Sequence, residues 1–468
     1  MSALWQRGAG ELASMIKAGQ TTSAEVIEAH LQRIDEVNGS LNAVVKVLAD
    51  EARAGAATAD AAVAAGETIG PLGGVPFTIK ENIDLAGHPT THGLQALAAA
   101  IAPVDAPVVE RMKAAGAVPL ARTNLPDMGL RIHTDNALHG LTRNPWHPDH
   151  TAGGSSGGEG SALASGMSPI GLGNDLGGSL RNPASCCSIA SIKPTMGRVP
   201  GADTYPAPDG SIALQLLAVQ GPMARTVADV RLGLEVLSGW HVRDPHSVPM
   251  PIEAPEPGVR RVAIVAEPPG GDTDPRIVEA VRAAGRALEA AGCQVDEVEV
   301  PRFEEVVQCW RGIVIGDIVM GLPLLEPIVS ADAASFLRQA TEMDAPPSLE
   351  SIGALWMQRQ SLMRDWAAFY AEWDVVLTPT WTQLPFRHGA DAESFEGTER
   401  TLMAARPVMP ANVLGLPSAA VPVGVVDGLP VGALVNGPQW GEMKCLEIAE
   451  IIEAAGLAPA TPMDPITA

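Results

Sequence analysis

One segment, residues 151–200, constrains the fold and the function of this chain more than any other. It contains two clusters in which serine is flanked by glycine, GGSSGG at 153–158 and GGS at 177–179. Because glycine lacks a Cβ, backbone of this kind can approach a ligand closely and adopt conformations closed to other residues. Serine in such a setting can be a nucleophile, part of an anion-binding loop or an ordinary turn residue, and the run alone leaves all three open.

Composition narrows the class of protein. The 468 residues are 46% hydrophobic and 18% charged, which is typical of a globular chain long enough to bury a large core. The formal net charge of −23 opposes nonspecific binding to nucleic acid and to anionic membrane surfaces. We therefore expect neither a nucleic acid nor a membrane as a partner.

Cysteine usage and the N-terminal residues indicate a cytoplasmic protein with reduced thiols. The N-terminal stretch lacks a basic region followed by an apolar core, and no uninterrupted apolar run is long enough to span a bilayer. Neighbouring cysteines at 186 and 187 can scarcely pair with each other. No zinc-type spacing is present among the five cysteines, Cys186, Cys187, Cys293, Cys309 and Cys445.

Strand and helix patterns alternate along the chain, which predicts an α/β fold. Residues 75–80 alternate like a strand, with Lys80 at its end on the face opposite to Phe77 and Ile79. A second α/β unit follows the proline-rich stretch at 246–259 and could continue the same sheet. Residues 303–373 are predicted to be mostly helical.

Two local predictions concern where elements begin and end. Thr22 and Glu25 fit a capping box that starts a helix, which Asn38 and Gly39 are predicted to end. Residues 222–237 are predicted to form a turn followed by a helix.

Three side chains, Lys80, Ser155 and Ser179, can be considered as one catalytic set. A serine nucleophile needs a base, but none of the ten histidines lies in the glycine-rich segment and no Gly-x-Ser-x-Gly elbow is present. A lysine buried at a strand end has a lowered pKa, so that its neutral amine could accept a proton. Four backbone N–H groups could converge on an oxyanion, those of Leu176, Gly177, Gly178 and Ser179.

Simpler interpretations stand beside this one. A lone lysine is usually a solvated surface charge, and a glycine–serine run is more often a flexible loop or a phosphate cradle. Asp175 and Arg181, which flank Ser179, could simply form an ion pair that holds the loop. The glycine spacing fits the dinucleotide fingerprint poorly, and the absence of Gly-Lys-Ser/Thr excludes a P-loop.

Several motifs in the same order along the chain resemble the amidase signature family. The strongest are 153–158, the segment GNDLGGSLRNP at 173–183 and IKPT at 192–195. The resemblance covers nearly the whole chain. Its supporting pieces are 74–76 leading to 80–81, 123–126, 144–146, 221–229, 415–417 and 429–432.

The resemblance implies a role for each member of a Ser-Ser-Lys triad. Ser179 would be the nucleophile, and Ser155 would be the bridging serine, held in the family by a cis peptide bond. Lys80 would be the neutral base that afterwards protonates the leaving amine. Asn174 stands where many members have threonine. Supporting roles are expected for Ser156, Asp175, Arg181 and Asn174.

The resemblance also implies one large α/β/α domain over residues 1–468, with a twisted mixed sheet covered by helices on both faces. Within it we expect N-terminal helices at about 1–65, a catalytic core at 70–240 and a helical, cap-like region at 303–373. The mechanism requires no metal ion and no organic cofactor. The oligomeric state is expected to be a monomer or a homodimer.

The expected activity is hydrolysis of small apolar or aryl amides through an acyl-enzyme. The candidate lining at 128–135 and 303–373 is rich in methionine, tryptophan and leucine, which favours apolar substrates. A carbamate hydrolase with the same triad, and a glutaminase like the catalytic subunit of glutamyl-tRNA amidotransferase, are the alternatives. The intact triad argues against a non-catalytic binding protein. Substrate-binding roles are expected for Met128, Gly129, Gly153 and Gly154.

Overall fold

A mixed β-sheet of eleven strands forms the centre of the molecule in the computed structural model, which describes residues 3–204, 210–344, 348–459 and 462–466. The predicted domain bounds also include residues 1–2, 205–209, 345–347, 460–461 and 467–468, which lie outside the described residues. The strands are β1 (Val44–Val47), β2 (Pro76–Lys80), β3 (Val118–Thr123), β4 (Ile170–Asp175), β5 (Ala190–Lys193), β6 (Val219–Ala224), β7 (Arg261–Ile264), β8 (Gln294–Glu297), β9 (Val375–Pro379), β10 (Ser418–Val426) and β11 (Leu429–Asn436).

Fifteen α-helices accompany these strands in the described part of the chain. They are α1 (Ala9–Lys17), α2 (Ser23–Leu41), α3 (Ala49–Ala64), α4 (Pro107–Ala114), α5 (Gly157–Ala164), α6 (Arg181–Cys187), α7 (Ile212–Leu217), α8 (Val227–Leu237), α9 (Pro275–Ala290), α10 (Phe303–Leu325), α11 (Ala331–Glu342), α12 (Leu349–Phe369), α13 (Phe395–Ala404), α14 (Met409–Val413) and α15 (Glu442–Ala454).

The strand order is β1-β3-β2-β4-β6-β5-β10-β11-β9-β7-β8. Strand β2 is parallel to both β3 and β4, and β7 is parallel to both β8 and β9, while the strands between these two groups pair antiparallel. The α/β unit that follows residues 246–259 therefore continues the same sheet, and the chain folds as a single α/β domain.

Alternate residues of the central strands enter two different hydrophobic cores, one on each face of the sheet. On β11, Val431, Ala433 and Val435 belong to one core and Leu434 to the other. Successive side chains of a strand point to opposite faces, so both faces of this sheet are covered. The prediction of a sheet between two layers of helices is confirmed.

Two of the local predictions were partly wrong. The capping box of α2 is present, but the helix continues to Leu41, because the Asn38 side chain bonds the backbone of Ala43 and Val44. The helix predicted before residue 237 is α8. The turn predicted at Pro222 is instead part of β6, which pairs with β4 over six residues.

The region 303–373 is helical, as predicted, and α10 is its most apolar helix. Among the described residues, α10 is the one helix long and apolar enough to cross a membrane by length and composition, and 44% of its most apolar window is buried inside the protein. Its first half packs in the core that also contains Leu180, next to the glycine–serine loops. The cytoplasmic location stays a prediction.

Candidate active site

Lys80 lies at the C-terminal end of β2 and is fully buried. Its Nζ atom is hydrogen-bonded to Ser155 Oγ at 2.7 Å and to Asn174 Oδ1 at 2.6 Å. Burial lowers the pKa of Lys80 to about 7, although the carboxylates of Asp175 and Glu159 act in the opposite direction. The amine of Lys80 is therefore able to exchange a proton near neutral pH.

Ser155 is held by glycine residues that pack tightly against neighbouring backbone. The peptide bond between Gly154 and Ser155 is cis. A Cβ on Gly154 would lie 2.7 Å from the backbone oxygen of Arg131, and one on Gly153 would lie 2.8 Å from Pro183 Cα. Both glycines therefore allow close backbone packing that a side chain would prevent. Their substrate-binding role stays a prediction.

Ser179 lies in the loop between β4 and α6 and is half-buried. Its carbonyl oxygen accepts a hydrogen bond from the N–H of Ser156 at 3.3 Å. This bond joins the loop of Ser179 to the residue that follows Ser155. The hydroxyl of Ser156 is buried and has no hydrogen-bond partner within the described part of the chain.

Asp175 and Arg181 form a fully buried, bidentate ion pair around the Ser179 loop, with both N–O distances at 2.9 Å. The same carboxylate accepts hydrogen bonds from the N–H groups of Gly178 and Leu180. Burial would raise the pKa of Asp175, but the Arg181 guanidinium beside it holds that pKa well below its usual range. The predicted ion pair is present, and it fixes the loop through its backbone.

The four predicted oxyanion donors differ in how they are used. The N–H of Gly178 is occupied by Asp175. Among the residues that the structure describes, no acceptor is bonded to the N–H of Leu176, Gly177 or Ser179. Trp310 of α10 packs over this loop and donates from Nε1 to the Leu176 carbonyl at 2.9 Å. Three N–H groups therefore remain to receive a ligand oxygen.

Replacement of Arg181 by methionine is expected to lower the free energy of unfolding by about 3–5 kcal/mol, because it leaves Asp175 buried without its cation. Chemical denaturation of the variant and the parent protein checks this value. Conservation of the parent stability would contradict the structural importance assigned to the pair. A suitable control is Arg282→Met, which removes a guanidinium that is 40% exposed and pairs with Glu267 and Glu297 on the surface.

Gly129 lies beside Ser155, and Met128 precedes it in the chain. Both have positive φ angles, 53° and 71°, and a Cβ on Gly129 would be 3.3 Å from Ser155 Oγ. Gly129 is thus in direct proximity to Ser155. Asn82, which the sequence analysis did not assign to the site, accepts a hydrogen bond from Asn174 Nδ2 at 2.9 Å. Its position directly after Lys80 and Glu81 is the one signal that could have identified it.

A second residue missed by the sequence analysis is Glu159, in the first turn of α5. Its carboxyl group is fully buried and accepts hydrogen bonds from the hydroxyls of Thr78 and Thr123, the latter at 2.6 Å. Burial raises the pKa of Glu159 to about 7. The available signal was an acidic residue inside a helix otherwise made of glycine, alanine, serine and leucine.

Within residues 3–204, 210–344, 348–459 and 462–466, no group of three or more histidine, cysteine, aspartate or glutamate side chains is placed to hold a metal ion. All five cysteines are free, so Cys186 and Cys187 do not pair with each other.

Comparison with known proteins identifies relatives of this chain along nearly its whole length. The family described as amidase matches residues 25–446. Indoleacetamide hydrolase of Bradyrhizobium diazoefficiens is 42% identical over 96% of this chain and 86% of its own length. The glutamyl-tRNA(Gln) amidotransferase A subunit of a Synechococcus strain is 32% identical over 94% of both chains.

Solved structures agree with these matches. A bacterial aryl acylamidase of the amidase signature family superposes with a TM-score of 0.85 over 97% of both chains at 27% identity. The structure of 6-aminohexanoate cyclic dimer hydrolase gives a TM-score of 0.83 at 26% identity, over 97% of this chain and 98% of its own. The chain therefore belongs to the amidase signature family and is an amide-hydrolysing enzyme.

Proposed function

We propose that this enzyme hydrolyses small amides with an aryl or otherwise apolar acyl group, with Ser179 as nucleophile and an acyl-enzyme as intermediate. The observation that carries the proposal is the buried amine of Lys80, 2.7 Å from Ser155 Oγ, in a site that also contains Ser179. A buried neutral amine can serve as a base, whereas a solvated ammonium ion cannot.

The first half of the reaction forms the acyl-enzyme. Ser179 Oγ attacks the amide carbonyl carbon, and its proton passes through the hydroxyl of Ser155 to the neutral amine of Lys80. The N–H groups of Leu176, Gly177 and Ser179 stabilise the resulting oxyanion, because they have no acceptor of their own in the described part of the chain. The ammonium of Lys80 then delivers its proton through Ser155 to the leaving nitrogen, the C–N bond breaks, and the nitrogen departs as ammonia or an amine.

The second half returns the enzyme to its starting state. A water molecule attacks the ester carbonyl of the acyl-enzyme and passes a proton along the same route. The ester bond breaks, the acid leaves, and Ser179 regains its proton.

Two observations favour an aryl acyl group. The oxyanion loop is covered by the indole of Trp310, and Leu176 of this loop is half-buried. Met128, also half-buried, precedes Gly129, which lies beside Ser155. The chain is also 42% identical to an indoleacetamide hydrolase over nearly its whole length. We therefore propose primary arylacetamides, of which indoleacetamide is one, as the substrate class.

Two alternatives are tested in the same experiment. A carbamate presents a carbonyl of the same geometry, so the same three residues could cleave it. A glutaminase function is favoured by the 31–32% identity to several amidotransferase A subunits. Such an enzyme would release ammonia from glutamine for a partner protein.

The deciding experiment measures turnover of four compounds by the purified chain alone: an arylacetamide, an acyl anilide, an aryl carbamate and glutamine. We expect the arylacetamide to give the highest kcat/KM and glutamine to give none above background. Preference for the carbamate would replace the substrate class. Turnover of glutamine, or no turnover until a partner protein is added, would contradict a free-standing arylacetamide hydrolase.

The pH dependence of the reaction follows from the lowered pKa of Lys80, about 7. Protonated Lys80 cannot accept the serine proton, so activity is present above this pKa and is lost as the pH falls through it. We expect kcat/KM to fall about tenfold for each pH unit on the acid side. Initial rates between about pH 5 and pH 9 check this, and a flat profile with chemistry rate-limiting would contradict a lysine base.

A further inference from the structure

Glu159 is built into the sheet beside the proposed base. It extends from the first turn of α5 onto strands β2, β3 and β4, where the hydroxyls of Thr78 and Thr123 hold its two oxygens. Gly171 of β4 contacts this carboxyl group directly. A Cβ at that position would lie 1.6 Å from Glu159 Oε1. The absence of a side chain at Gly171 leaves the space that this carboxyl group fills.

The register of the strands places this carboxyl group next to Lys80. Thr78 and Lys80 are two residues apart on β2, so their side chains leave the same face of the sheet. Thr123, which donates to Glu159 Oε2, is the direct neighbour of Lys80 in the parallel pairing of β2 with β3. Both threonines that hold Glu159 are therefore neighbours of Lys80 on its own face of the sheet.

The two carboxylates near Lys80, those of Asp175 and Glu159, differ in their own charged partners. Two carboxylates act on Lys80, those of Asp175 and Glu159, while its hydrogen-bond partners Ser155 and Asn174 are uncharged. Asp175 has its own cation in Arg181, with Lys193 also acting on it. Glu159 forms no ion pair with a lysine, arginine or histidine in the described ranges. The positive charge that acts on Glu159 is the one that Lys80 acquires.

We propose that Glu159 is a positioning residue of this reaction, which acts through Lys80 by supplying the counter-charge when Lys80 receives the proton relayed from Ser179. This inference rests on the proposed function. The proton moves from Ser179 to Ser155 and from Ser155 to Lys80, and no bond to Glu159 forms or breaks. The ammonium of Lys80 then lies near the buried carboxylate of Glu159. This carboxylate stabilises the positive charge, because both side chains are buried away from solvent.

The hydrogen bonds of Glu159 allow it to be charged or neutral. When it is ionised, both threonine hydroxyls donate to it. When it is protonated, the hydroxyl of Thr78 can turn to the Ile170 carbonyl, which lies 3.5 Å away, and accept the carboxyl proton. Burial brings the pKa of Glu159 up to about 7 and that of Lys80 down to about 7. Each group stabilises the charged form of the other, so their titrations are coupled.

The test is the pH profile of Glu159→Gln. Glutamine has the same shape and can accept from Thr78 and donate to Thr123, so a purely structural role predicts an unchanged profile. Loss of the negative charge lowers the proton affinity of Lys80. We expect the acid limb of kcat/KM to move to lower pH by about one unit, and kcat above the limb to fall about tenfold because Lys80 is a weaker base. KM should change little.

A substrate-independent readout separates this inference from the proposed substrate class. A fluorophosphonate phosphonylates an activated serine, with fluoride as the leaving group and the serine proton relayed to the base. The rate of labelling of Ser179 against pH therefore reports Lys80 without any amide. We expect the midpoint of labelling for Glu159→Gln to shift in the same direction as the midpoint of turnover.

Two further variants separate loss of the charge of Glu159 from an effect of the substitution on folding. Thr123→Val removes one donor to the carboxylate, which raises the pKa of Glu159 and weakens its charge, so a smaller shift of the limb in the same direction is expected. Glu442→Gln changes another buried glutamate, which pairs with Arg198, and should leave the limb in place. An unshifted limb in a folded Glu159→Gln protein, or a shift to higher pH, would overturn the inference. If the parent protein is not labelled at Ser179, the proposed triad fails and this inference fails with it.

Discussion

Replacement of Ser179 by alanine is expected to lower kcat by about 10⁴- to 10⁶-fold, because the proposed nucleophile and the proposed acyl-enzyme are lost together. The fold should be unaffected. Ser179 is half-buried, and none of the hydrogen bonds among the described residues involves its hydroxyl, whereas its carbonyl still accepts from Ser156. Rates measured with the best amide of the substrate panel, together with the thermal midpoint of each protein, check both statements.

A matched control for this experiment is Ser165→Ala. Ser165 is fully buried and lies at the end of α5, where its hydroxyl donates to carbonyls of its own helix. Its loss should leave kcat within about threefold of the parent value, because surrounding backbone groups retain their helical partners. Retention of activity in Ser179→Ala would remove Ser179 from its proposed role.

Replacement of Lys80 by methionine is expected to lower kcat by about 10⁴-fold, the upper range for loss of a positioned base. Methionine preserves much of the volume of the buried side chain, so the cavity left behind is small. The amine that bonds Ser155 Oγ and Asn174 Oδ1 is nevertheless gone. Single-turnover rates, measured with and without the substitution at saturating amide, report this loss directly.

Lys193 provides an informative comparison, since it is equally buried and burial also lowers its pKa to about 7. Its Nζ donates to the carbonyl of Pro194 and not to either serine of the proposed triad. Lys193→Met should therefore keep kcat within about tenfold and retain the acid limb of the profile. Equal losses in the two lysine variants would show that burial, and not contact with Ser155, explains the effect of Lys80.

The strand that ends at Lys80 and the ion pair beside Ser179 were predictable because the pattern of residues reflects local geometry. Alternation of Phe77 and Ile79 marked a strand, and that strand ends at Lys80 with its side chain opposite the apolar core of those two residues. The ion pair of Asp175 with Arg181 was considered as one interpretation of two charges six positions apart. It is present in the structure, where it bonds the backbone of the Ser179 loop.

Contacts between distant segments were not predictable from one sequence. Asn412 bonds both Asp175 and Arg181, although more than 200 residues separate it from them along the chain. Glu159 likewise finds its partners on two strands that precede it by many residues. Nothing in the local pattern around these residues specifies which side chains the sheet brings beside them.

The two partly wrong predictions, the end of α2 and the turn at Pro222, also have physical causes. Asn38-Gly39 is typical of a helix end, but the Asn38 side chain accepts hydrogen bonds from the backbone of Ala43 and Val44, five and six residues later, and the helix continues to Leu41. Gly221-Pro222 is typical of a turn, yet pairing of β6 with β4 over its whole length overrides that preference. A side-chain contact within a few residues outweighed the first signal, and pairing with a distant strand outweighed the second.

The proposed mechanism is tested most directly by a search for the acyl-enzyme by mass spectrometry. The purified protein is mixed with an arylacetamide, quenched with acid during turnover, digested and analysed. We predict that the mass of the arylacetyl group is found on the peptide that contains Ser179, and that Ser179→Ala gives neither adduct nor product. An adduct on a different residue, or amide turnover by the Ser179→Ala protein, would contradict the proposed mechanism.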